Sequence, residues 1–174
     1  MANKVYTGAG QVSAADVRYV KWVGRTKGGA AVQIEMDKAF CRSNPDWKFE
    51  EKNETTAEVE FEGLYTDANL AKDDRTEPWK LTVSDGTAVD SIVLGVGKFY
   101  VGKSSSDAVL VGLTRGGGSF VVEREFREIA ADEDPGAVEG RVLKDSGRPK
   151  LKLVALQWLD KVSELYACVT TATT

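Results

Sequence analysis

Apolar and polar residues alternate with a period of two along much of this chain, as expected for strands with one buried and one wet face. From Ala30 to Asp37, Val32, Ile34 and Met36 fall on one side and Gln33 and Glu35 on the other. Asp16 to Val23, rich in Val, Tyr and Trp, predicts a strand just before it. The pair Gly28-Gly29 between these runs suits a tight hairpin turn, which needs positive φ at its centre. Gly116 to Gly118 are expected to turn the chain in the same way later on. Glu58 to Tyr65 predicts a third strand, with Val59 and Phe61 opposed to Glu58, Glu60 and Glu62. Thr66-Asp67 can then cap a short helix through Leu70 and Ala71. Asp160 can cap a second one, Lys161 to Tyr166, after a strand from Leu151 to Trp158. The pattern predicts a mainly β fold with one or two short helices.

Blocks of sequence recur in the same order. Val23-Gly24-Arg25-Thr26-Lys27-Gly28-Gly29 returns as Val111-Gly112-Leu113-Thr114-Arg115-Gly116-Gly117. Val5 to Gly10 resembles Ile92 to Gly97, and Glu58 to Leu64 parallels Lys150 to Leu156. Ordered self-similarity of this kind predicts two related halves, about 1–87 and 88–174, within a single domain spanning 1–174. Two polar stretches lie between the predicted strands, Lys38 to Thr56 and Arg124 to Pro149, and are read as long connections. Trp47 and Phe49 in the first are costly to leave in water, which points to a loop that docks on something.

Composition narrows the chemistry. The 174 residues include no histidine, which excludes Ser-His-Asp and Cys-His catalysis and every His-containing metal site. Lys and Arg number 23 against 27 Asp and Glu, a formal charge of −4, so the chain lacks the global basic footprint of a nucleic-acid reader. Cys41 and Cys168 form neither a CxxC nor a zinc pattern. One bridge between them is open from sequence, but two free thiols in a reducing compartment are expected. Met1-Ala2-Asn3-Lys4 leads into a Gly-containing segment with no secretory pattern, and no stretch reaches membrane-spanning length.

Gly97 to Ser104 formally fits the phosphate-cradling pattern G-x-x-x-x-G-K-[ST]. Its central Lys98, Phe99, Tyr100 and Val101 favour a strand, and Ala108 to Gly112 beyond it reads as another strand. Phosphate binding needs a helix N-terminus there, so no nucleotide is expected. Glu58, Glu60 and Glu62 share one wet face and look alike, whereas catalytic carboxylates need unlike surroundings. Lys150 and Lys152 occupy the related strand and can pair with them across a sheet. Asn53-Glu54-Thr55 matches a glycosylation sequon that has no meaning without secretion, and the tryptophans are read chiefly as core. The expectation is a protein that is not an enzyme, with no catalytic residues, metal or cofactor.

Gly112-Leu113-Thr114-Arg115-Gly116-Gly117, Glu125-Phe126-Arg127-Glu128-Ile129-Ala130-Ala131-Asp132, Pro135-Gly136-Ala137-Val138-Glu139-Gly140 and the strand Pro149 to Leu159 together resemble the major tail tube proteins of long-tailed bacteriophages. Gly8 and Gly10, the turn Gly24 to Gly29, and Glu58 to Lys72 resemble the opening of such proteins. The resemblance implies a β-sandwich or half-barrel. It also implies a virion structural protein, made in the host cytoplasm, whose copies close into hexameric rings, or pseudo-hexameric trimers. These would stack into a tube for DNA ejection. Its partners would then be itself, other tail proteins at the tube ends, and passing double-stranded DNA held without sequence-specific contacts, with no membrane. Under that resemblance Glu58, Glu60 and Glu62 are candidate lumen-facing residues, and Trp47 and Phe49 candidate ring-to-ring contacts. The alternative is a monomeric β-sandwich binding module of a virion, contacting carbohydrate or a receptor.

Overall fold

The computed structural model describes residues 4–46, 56–66, 68, 76–84, 93–129, 140–156 and 161–173. Nine strands are described: β1 (Lys4–Gly8), β2 (Val17–Thr26), β3 (Ala31–Cys41), β4 (Ala57–Gly63), β5 (Lys80–Val83), β6 (Val93–Gly102), β7 (Val109–Glu128), β8 (Val142–Leu156) and β9 (Val169–Thr173). A 3-10 turn (Ala14–Asp16) and one short helix, α1 (Val162–Leu165), complete the described elements. The fold is mainly β, as the alternation predicts.

The strands hydrogen-bond in the order β2-β6-β7-β8-β4-β3, every pair antiparallel, and β3 pairs back onto β2. The walls pack as in the expected sandwich, and the β2–β3 ladder joins them into a closed barrel. Closure removes the open edges that make a lone sheet sticky. Both halves of the sequence contribute strands to this one sheet. The termini pair with each other, β1 against β9, in a separate two-stranded ribbon.

Within the barrel, register places the apolar faces of β4, β6 and β8 inward. Val59 and Phe61 on β4 and Leu151 and Leu153 on β8 are almost completely buried, as are Phe99 and Val101 on β6. Val162 and Leu165 of α1 join the same cluster. Trp22 explains a pair of glycines. Gly24 and Gly97 lie opposite each other in the ladder, and a Cβ on either would sit within 2.1 and 2.5 Å of the indole. Gly97, the first glycine of the phosphate-loop pattern, is therefore a seat for a tryptophan. Beyond Ser104 the chain bends and enters β7, so no helix N-terminus follows.

The β2–β3 hairpin turns as expected, with Gly29 at φ 89°. Gly116 to Gly118 do not turn the chain. β7 runs straight through them, and only an irregularity between Thr114 and Gly118 marks the place. The expected long connection at Arg124 to Pro149 is corrected likewise: 124–128 and 142–149 are ladder, with Glu128 paired to Val142, and 130–139 lie outside the described residues. Lys38 to Cys41 also belong to β3. The helix expected after Thr66 lies outside the described residues apart from Ala68.

β6 and β7 are paired from Val101↔Val109 to Lys98↔Leu113 and then part. At the parting the Thr114 hydroxyl accepts a hydrogen bond from the Gly97 N–H (2.9 Å) and donates to the Gly97 carbonyl (3.1 Å). A side chain thus replaces the missing ladder rung in a site only 4% exposed. Replacing Thr114 by the isosteric Val leaves two buried backbone groups unpaired. It should lower stability by about 1–3 kcal/mol, read as a shifted denaturation midpoint at unchanged m-value.

Candidate assembly surface

Past Thr114, β7 leaves the barrel with β8. β4 accompanies β8 only from Lys150 to Ala155, and β6 accompanies β7 only as far as Leu113. The remainder, 119–128 paired with 142–152, forms an arm that is two-stranded once the β4 ladder ends at Lys150. Its distal eight or so residue pairs span roughly 25–30 Å at 3.3–3.4 Å per residue. Among the described residues neither outer edge of the distal arm enters a ladder. Two-stranded ribbons are marginal in water, so this one needs support at its base or along its length.

Support partway along the arm is electrostatic. Glu77, in the connection from β4 to β5, accepts hydrogen bonds from Arg124 Nε and a second Arg124 nitrogen, both at 2.9 Å. Lys144 Nζ adds another at 2.9 Å and Trp79 Nε1 one at 2.6 Å. Gly147 lies close beneath, where a Cβ would come within 2.7 Å of the carboxylate. Paired Arg124, then Lys144 and Trp79, outweigh burial and hold the Glu77 carboxyl down at about 2. Trp79 also meets Phe120 of the arm edge-on, with ring centroids 5.3 Å apart. A cleft of about 440 Å³ opens beside this clamp and is walled by Phe126.

Several apolar side chains along the arm stay exposed. The arm and its last residue carry Val121, Phe126, Ile129, Val142 and Leu143, five of the twelve exposed large hydrophobics among the described residues. Phe126 is 63% exposed. Because opposed residues share a face, Phe126 and Val142 lie on one side and Leu143 and Ile129 on the other. Clustered exposed apolar surface of this kind marks an interaction site.

Glu58, Glu60 and Glu62 do share the outer face of β4, opposite buried Val59 and Phe61. Register sets Glu60 against Lys152 and Glu62 against Lys150. Lys152 Nζ reaches Glu58 at 3.0 Å, Arg42 Nε reaches Glu62 at 2.8 Å, and Lys150 Nζ reaches Glu123 at 2.8 Å. The acidic stripe is therefore laced with cations. Arg42 and Glu123 were not legible as part of it, because neither strand register nor the course of β7 follows from local sequence. Trp47 and Phe49 lie outside the described residues, as does Trp158.

Both cysteines are free. Burial pushes the Cys41 thiol up to about 11, the opposite of an activated nucleophile. Among the described residues no three metal-ligating side chains cluster, and no helix is long and apolar enough to cross a membrane. No protein-family model matches the chain, and no curated protein or solved structure matches it.

The clamp gives a pH signature. A carboxylate held below its ordinary value of 4.5 stabilises the fold fully above that pH and loses its effect as pH falls toward 2. Glu77→Gln should cost on the order of 1–2 kcal/mol at pH 7, after allowance for solvent around the partners. It should also flatten the stability profile between pH about 4.5 and about 2, measured by denaturant titration at each pH.

Proposed function

We propose that this chain is a self-assembling structural protein, the repeating subunit of a phage-type tail tube built from stacked hexameric rings. The observation that carries the proposal is the arm: a ribbon whose distal edges pair with no other strand among the described residues and whose two faces both carry exposed apolar residues. Such a surface is a liability in a monomer and a joint in an assembly. Repetition through one contact between unlike surfaces yields rings or stacks without new parts. The tail-tube motifs in the sequence supply the particular assembly.

In this proposal Glu58, Glu60 and Glu62 face the channel. Their cationic partners keep the wall near neutral, with one more carboxylate than cations among Glu58, Glu60, Glu62, Glu123, Arg42, Lys150 and Lys152. Such a wall releases few counterions and gives DNA little to adhere to. Trp47 and Phe49 remain the proposed ring-to-ring anchors. No catalytic step, cofactor or membrane enters the mechanism, and the virion tail is the proposed location.

A monomeric binding module is the competing reading. A slot of about 290 Å³, lined mostly by apolar side chains, favours it. Electron microscopy of the purified protein decides between them: rings or hollow tubes support assembly, and dispersed single particles at high concentration overturn it. Trp47→Ala should leave soluble subunits or rings but stop tube growth; normal tubes would remove Trp47 from the ring contact. Converting Glu58, Glu60 and Glu62 together to Gln leaves Arg42 and Lys152 without their carboxylates and Lys150 with Glu123 alone. Assembled tubes of that variant should retain double-stranded DNA at low salt and release it as salt rises, in a filter-retention assay.

A further inference from the structure

We propose that the cleft beside Glu77 binds a small aromatic anion, a flat apolar body carrying one carboxylate or phosphate group. The inference does not depend on how copies assemble, because every lining residue belongs to one chain. The cleft encloses about 440 Å³, within the range of small-ligand sites, and its walls are Thr76, Glu77, Trp79, Arg124, Phe126 and Lys144. The connection from β4 to β5 supplies one side. The arm supplies the other, where Phe126 stands opposite Lys144 in the ladder and Arg124 precedes it on β7.

The hydrogen bonds already made dictate what an occupant must offer. Glu77 Oε1 accepts from Arg124 Nε and Lys144 Nζ, and Oε2 from a second Arg124 nitrogen and Trp79 Nε1. Those bonds fill the acceptor capacity of a carboxylate. The donors are not spent. The guanidinium and the ammonium each carry more N–H groups than they give to Glu77, and among the described residues they bond no other group. Arg124 and Lys144 against Glu77 also leave one positive charge in excess along the walls. A site with spare donors, a saturated acceptor and net positive charge favours an anionic acceptor and penalises a cation. Glu128, farther out on the same face of β7, does not line the cleft.

The aromatic side chains define the rest of the ligand. Trp79 is held in place by its bond to Glu77 and its edge-on contact with Phe120. Phe126 has no such cover and is 63% exposed. A ring laid against Phe126 buries apolar surface on both partners while its anionic group meets Lys144 and Arg124. An inorganic anion leaves Phe126 bare, and a neutral ring leaves the donors unused, so the walls select the combination.

Titration calorimetry on the purified chain tests this, with naphthoate and naphthyl phosphate as probes and inorganic phosphate and neutral naphthylmethanol as controls. At least one aryl anion should bind saturably, and the tighter of the two assigns the anionic group. Both controls should bind at least about tenfold more weakly. F126A, at an exposed position where circular dichroism should confirm an intact fold, should weaken the aryl anion about 3- to 10-fold. K144Q should weaken it about tenfold yet leave the weaker binding of naphthylmethanol unchanged, a split that a loosened fold would not produce. The proposal is overturned if neither aryl anion binds, if inorganic phosphate binds as tightly as they do, or if F126A binds them like the wild type. Naphthylmethanol binding as tightly as naphthoate would place the ligand in the apolar slot instead and overturn it too. None of these results bears on the assembly reading, which electron microscopy tests separately.

Discussion

β7 cannot stay paired with both of its neighbours over its whole length, and most of the architecture follows from where it chooses. Its first residues complete the barrel ladder with β6, and its remainder leaves with β8. Thr114 makes the choice tolerable by giving Gly97 both hydrogen bonds that the departing backbone withdraws. Without that replacement a buried N–H and C=O would stand empty at the centre of the fold. The same parting creates the arm on one side and the slot on the other.

Each product of the parting is incomplete in a different way. The barrel has its core: Phe61, Phe99 and Leu151 lose nearly all contact with water. The arm has a ladder but no core, since a two-stranded ribbon has no third layer to bury its side chains against. The Glu77 clamp holds it at Arg124 and Lys144, partway along its length. Arg124 and Lys144 converge on a carboxylate with 9% of its side chain exposed, which fixes the angle at which the ribbon leaves the barrel. A fixed angle matters for assembly, because a rigid joint loses less freedom on binding than a loose one.

Much of the barrel was legible in sequence, because its strands have one wet and one dry face. Val32, Ile34 and Met36 against Gln33 and Glu35, and Val59 and Phe61 against Glu58, Glu60 and Glu62, give a contrast that period-two reading detects. The arm gives no such contrast. Apolar Phe126 and Leu143 stand on opposite faces among charged neighbours, so 124–149 resembles a polar loop by composition. The glycines at 116–118 were misleading for a related reason. Glycine permits a turn but does not impose one, and here it lets β7 pass an irregularity while remaining extended. The β1–β9 pairing joins residues more than 160 apart, and no local pattern encodes it. Glu77 left a faint signal in the run Glu77-Pro78-Trp79, a tryptophan beside a carboxylate, whose meaning depended on Arg124 and Lys144 arriving from elsewhere.

The charged face of β4 and β8 follows the same logic as the arm in reverse. Read alone, β4 is an acidic stripe, and read alone β8 offers two lysines. Antiparallel register brings Glu60 opposite Lys152 and Glu62 opposite Lys150, and the ion pairs form diagonally, Lys152 with Glu58 and Lys150 with Glu123. Exposed pairs of this type are each worth only about 0–1 kcal/mol, so their consequence is less for stability than for the field at the surface. A stripe of bare carboxylates would repel a second copy as strongly as it repels DNA. A compensated stripe does neither strongly, which in the proposed tube would let this face sit close to another subunit or to a passing polyanion.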